Sequence, residues 1–102
     1  VRVEFPSKPV GETINLGVDF VSRLASGETI VSGTVTASLY SGTDPAPAGI
    51  LSGAASVSGT SVIQTITAGV LGNIYELAYA AVTTLGQTLL ITGYFAIVPD
   101  LP

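Results

Sequence analysis

Apolar and polar residues alternate with a period of two along most of this chain. In "TINLGVDFV", residues 13–21, Ile14, Leu16, Val18 and Phe20 fall on one side and Thr13, Asn15, Gly17 and Asp19 on the other. That is the pattern of a strand with one buried face. "TVTASLY", residues 34–40, repeats it with Val35, Ala37 and Leu39 inward and Thr34, Thr36 and Ser38 outward. "SVIQTITA", residues 61–68, has no clear phase because Val62 and Ile63 are adjacent, but its β-branched content favours a strand.

The last two strands are apolar on both sides. Tyr75, Leu77, Tyr79 and Ala81 share one face and Ile74, Ala78, Ala80 and Val82 the other. Leu89, Ile91, Phe95 and Ile97 likewise oppose Leu90, Tyr94, Ala96 and Val98. Strands of this kind sit centrally in a sheet. The short connection "TTLG" between them predicts a hairpin.

Turn signals recur at sandwich spacing: "SGE" at 26–28, "SGTDPAPAG" at 41–49, "SGT" at 58–60 and "AGVLGN" at 68–73. No stretch predicts a helix of several turns, and the glycines and serines of "ILSGAASVSG" argue against one there. The expected fold is therefore all-β: a single domain over 1–102, an immunoglobulin-like antiparallel β-sandwich of about seven strands with no substantial helix. Tyr75, three residues after Gly72, is placed to form a tyrosine corner, its hydroxyl bonding back to upstream backbone. Pro6, Pro9, Pro99 and Pro102 predict extended terminal arms, about 1–10 and 99–102, outside a regular ladder.

Composition narrows the function. Only 10% of residues are charged, against roughly 25% in an average domain. Polarity comes instead from 10 Ser, 12 Thr and 12 Gly. Such a surface lacks the usual defence against association and suits either a domain covered by partners or an extracellular-style β-domain. The net charge is −4, and Arg2, Lys8 and Arg23 are the only cations, too few and too scattered for a nucleic-acid or anionic-membrane surface. The longest apolar stretch, 89–98, is too short and too interrupted to insert in a bilayer as a helix. The opening "VRVEFPSKPVGE" has no signal-peptide core.

Chemistry is sparse. With no His and no Cys, the commonest base, nucleophile and soft metal ligands are missing. Ser7 and Lys8 are adjacent on an extended segment and point apart. The carboxylates Glu4, Glu12, Asp19, Glu28, Asp44, Glu76 and Asp100 are spaced singly, without the facing pair of a glycosidase or a calcium-loop motif. The expectation is no enzyme, no catalytic, cofactor-binding or metal residue, and no cofactor. Tyr40 and Tyr94 are candidates for exposure at an interface. The tetrapeptide "GETI" occurs at 11–14 and again at 27–30, in each case read as a turn leading into a strand.

Taken in order, several of these elements resemble a known group. Lys8-Pro9 with Glu12 precedes the first long strand, followed by "LASGETI" at 24–30, Gly72 before Tyr75, and "TTLGQ" at 83–87 before the last strand. The sequence resembles small virion proteins of tailed bacteriophages of the fiber-tail adaptor type. Gln87 stands where the resemblance leads one to expect arginine. The resemblance implies a structural role, linking components at the tail and fibre or at the head–tail connector. It implies other virion proteins as partners, multiple symmetric copies, and a place in the virion after assembly in the host cytoplasm. The middle segment 41–60 would then carry partner specificity. A capsid decoration protein, or an immunoglobulin-like adhesion or carbohydrate-binding module, are the alternative readings.

Overall fold

The computed structural model describes residues 2–99. Eight strands are present among them: β1 (Arg2–Glu4), β2 (Lys8–Pro9), β3 (Ile14–Asp19), β4 (Ile30–Ser41), β5 (Leu51–Ser58), β6 (Ser61–Ile66), β7 (Ile74–Thr83) and β8 (Thr88–Val98). Among the described residues the only helical pieces are 3-10 turns at Val21–Arg23 and Pro47–Ile50. One sheet runs β1-β8-β7-β4 with β2 also on β8, and the other runs β3-β6-β5. The all-β sandwich predicted by the alternation is the fold.

The two sheets close on one core. From β7 come Tyr75, Leu77, Tyr79 and Ala81, and from β8 Leu89, Ile91, Phe95 and Ile97. They face Leu16, Val18 and Phe20 from β3 and its end, with Val62 and Ile66 of β6. Except in β6, each inward set is one of the period-two sets of the sequence, because one phase of each strand faces the core. At Gly33 of β4 the sheets approach so closely that a Cβ would lie 2.7 Å from a Val62 methyl.

β6 shows why its phase was hard to read. Val62, Gln64 and Ile66 are the buried residues, so one inward position is polar. Opposite it β5 slips register between Ser52 and Ser56. There the Gln64 Nε2 donates to the carbonyls of Ser52 at 3.3 Å, Gly53 at 3.2 Å and Thr65 at 3.0 Å. The amide thus satisfies carbonyls that the broken ladder leaves behind.

The N-terminal arm corrects one expectation. It is extended, but it joins the ladder, pairing in parallel with β8 through both β1 and β2. The amides of Phe5 and Val10 donate to Tyr94 and Val98 carbonyls at 3.0 and 2.9 Å. An edge strand needs donors on one side only, so Pro6 and Pro9 are tolerated. Between the pairs Glu4↔Tyr94 and Lys8↔Ile97 the arm advances four residues while β8 advances three. That one-residue bulge inverts the facing of the arm. Glu4 lies outward beside Tyr94, whereas Lys8 shares the inward face with Ile97. Of the C-terminal arm, residues 100–102 lie outside the described residues.

Candidate interaction surface

The conspicuous polar side chains hold the loops in place. Tyr75, fully buried at the start of β7, accepts the Val70 amide at 3.0 Å, the upstream backbone bond expected of a tyrosine corner. Its hydroxyl also donates to Asp44 Oδ2 at 2.7 Å and accepts from Asn73 Nδ2 at 3.4 Å. Asn73 in turn brackets Thr43, accepting its amide at 3.3 Å and donating to its carbonyl at 2.9 Å. Gly42 is required beside it: its φ is +110°, and a Cβ would fall 2.0 Å from Asn73 Oδ1. Burial, then the Asp44 carboxylate, push the Tyr75 hydroxyl pKa up, while that hydroxyl and the Ala46 amide hold Asp44 below its usual range. Tyr79 crosses the core to donate to the Leu16 carbonyl at 2.7 Å.

The spaced carboxylates do not gather. Among the described residues no three of them lie close enough to hold a metal ion. Asp19 accepts from the Val21 amide and the Thr60 hydroxyl. Glu28 accepts from the Ala25 amide at 2.8 Å and from the Thr83 hydroxyl. Both copies of "GETI" do form turns into strands, with the Glu12 and Glu28 amides each donating to the carbonyl three residues back, ahead of β3 and β4. Their carboxylates part company, since Glu12 is exposed and Glu28 buried.

Ser7 and Lys8 are also separated. Lys8 has no exposed surface, and its ammonium donates to the carbonyls of Ala68 at 2.8 Å, Pro9 at 3.0 Å and Val10 at 3.2 Å. It fastens the arm to the loop before β7. The sequence carried no signal for this, because the bulge that turns Lys8 inward is a property of the pairing.

What remains outward is a nearly uncharged sheet face. Ser32, Thr34, Thr36 and Ser38 of β4 are exposed, and Ala78, Ala80, Thr92 and Ala96 of the next two strands are partly so. At one end of this face lies a shallow groove of about 270 Å³. Glu4, Phe5 and Ser7 of the arm form one wall, and Tyr40, Ile74, Tyr94, Phe95 and Ala96 complete it. Tyr40 is 56% exposed, and its ring lies 4.8 Å from that of Tyr94, tilted by 40°. The two tyrosines singled out in the sequence are thus one feature, brought together across β7. At the opposite end Val31, Val82, Leu85 and Leu90 are exposed around the β7–β8 hairpin.

Comparison of the sequence with protein families matches residues 8–92 to the family described as podophage GP4 fiber-tail adaptor protein gp77. The chain belongs to this family. The match begins at Lys8, the residue that fastens the arm, and ends within β8. It includes the tyrosine corner, the middle segment 41–60 and the β7–β8 hairpin, but not the first arm strand. No curated protein and no solved structure matches the chain. The family's description is that of a fiber-tail adaptor protein.

Proposed function

We propose that this protein is a non-enzymatic structural component of a tailed-phage virion, linking subunits where tail and fibre, or head and tail, meet. The observation that carries the reading is the family match over residues 8–92. It is supported by a surface whose polarity comes from hydroxyls, with polar side chains committed to fastening loops. Other tail, fibre or connector proteins are its partners, and several symmetric copies act together, assembled in the host cytoplasm. Contacts to nucleic acid are disfavoured, because of three basic residues Lys8 is buried. No helix among the described residues is long and apolar enough to cross a membrane.

The sandwich is read as immunoglobulin-like. In a constant-type domain, strands C, F and G share one sheet, and A, B, E and D the other. Here β4, β7 and β8 take the first set of places, β3, β6 and β5 the places of B, E and D, and the arm lies beside β8 instead of β3.

The test is quantitative mass spectrometry of purified particles. A copy number that is a small multiple of the portal's rotational symmetry supports the tail or connector. A copy number that scales with the capsid lattice would make the protein a decoration. Absence from particles would overturn the virion reading and favour an adhesion module.

A further inference from the structure

We infer that the groove between the arm and Tyr40 receives a short cationic segment of a different tail polypeptide, which sets a proline or aliphatic side chain on the Tyr40–Tyr94 rings and an Arg or Lys beside Glu4. The inference rests on the tail-adaptor reading and names the chemistry of one of its contacts.

Size, wall chemistry and charge all favour this occupant. A groove of about 270 Å³ takes a few side chains of an extended segment and no folded domain. Its walls are Phe5, Tyr40, Ile74 and Tyr94, with the exposed carboxylate of Glu4 at the rim and no basic residue in the lining. The aromatic ring faces favour proline and aliphatic groups, and the carboxylate beside them favours a cation. The outward strand positions next to the groove hold Glu76, in register with Tyr94, and Ser38 beyond it. A second copy of this chain is a poor occupant. It has only three basic residues, of which Lys8 is buried, so it has little cationic surface to set beside Glu4. The groove also needs the arm in place, since Glu4, Phe5 and Ser7 of the arm form one of its walls.

The experiment is photocrosslinking in assembled particles. Tyr40 is replaced by p-benzoylphenylalanine in the full chain, particles carrying it are irradiated, and the adducts are sequenced by mass spectrometry. The expected adduct joins a different virion polypeptide at a proline or aliphatic residue flanked by Arg or Lys. Glu4→Lys should lower its yield about threefold, the scale of one exposed charge contact, while Glu12→Lys should leave it unchanged. If the probe at Tyr40 blocks assembly, the same probe at Ser7, exposed on the facing wall, reads the same groove. Adducts to a second copy, adducts to a segment without a cation, or a yield indifferent to Glu4→Lys would each overturn the inference. Particles that contain the chain but yield no adduct would overturn it too and leave the adaptor reading standing. Particles that lack the unsubstituted chain would instead overturn the adaptor reading itself.

Discussion

The Tyr75 hydroxyl donates to Asp44 Oδ2 at 2.7 Å, tying the start of β7 to a loop thirty-one residues earlier in the chain. Because the same oxygen accepts the Val70 amide at 3.0 Å, one side chain fixes two loops at one end of the sandwich. Tyr75→Phe keeps the ring but strands both partners. The expected cost is about 1–3 kcal/mol of stability, measured by urea unfolding. A neutral result would reduce Tyr75 to packing alone.

Acid should destabilise the protein through Asp19, Glu28 and Asp44. Each is held below its ordinary pKa, chiefly by a hydroxyl donor: Thr60 for Asp19, Thr83 for Glu28 and Tyr75 for Asp44. A carboxylate depressed in the folded state contributes stability that is complete above its unfolded pKa. That contribution fades as the pH falls through the folded value. Thermal melts should therefore be level from neutrality to about pH 5 and decline below about pH 4. Glu28→Gln and Asp44→Asn should each flatten that decline. Melting temperatures that stay constant down to about pH 2 would show that these bonds contribute nothing.

Gly33 should tolerate no side chain. Its added Cβ would meet two Val62 methyls at 2.7 and 2.8 Å, and Val62 is fully buried with nowhere to turn. Gly33→Ala should cost about 1–3 kcal/mol by forcing the sheets apart. Gly49→Ala serves as the control, since nothing lies within 4 Å of its Cβ position, and it should stay within about 0.5 kcal/mol. Equal effects of the two would contradict the close approach of β4 and β6.

Lys8→Met should loosen the arm before it unfolds the domain. The Ala68 and Val10 carbonyls lose a charged donor, at a cost of about 1–3 kcal/mol. Hydrogen exchange should accelerate at the Phe5 and Val10 amides, which bond to β8, while the β7 core strand stays protected. If the arm amides are unaffected, the β-ladder alone holds the arm.

Much of the fold was legible because it follows from local rules. Period two named the inward sets of β3 and β4 and separated the two apolar faces of β7 and β8, of which pairing of the sheets buried one. Turn glycines marked the connections, and the spacing of Tyr75 from Gly72 announced the corner. The order of these elements led to the adaptor family. The lack of His and Cys removed the commonest base, nucleophile and soft metal ligands. What the sequence could not disclose depends on pairing between distant segments. The slip in β5 makes a buried place for Gln64, and the bulge between Glu4 and Lys8 turns Lys8 into the molecule and leaves Glu4 outside. Pairing across β7 brings Tyr40 and Tyr94 together into one groove. Local periodicity is a property of the chain alone, whereas register, bulges and cross-strand neighbours exist only once two segments have met, and on those the surface of this protein depends.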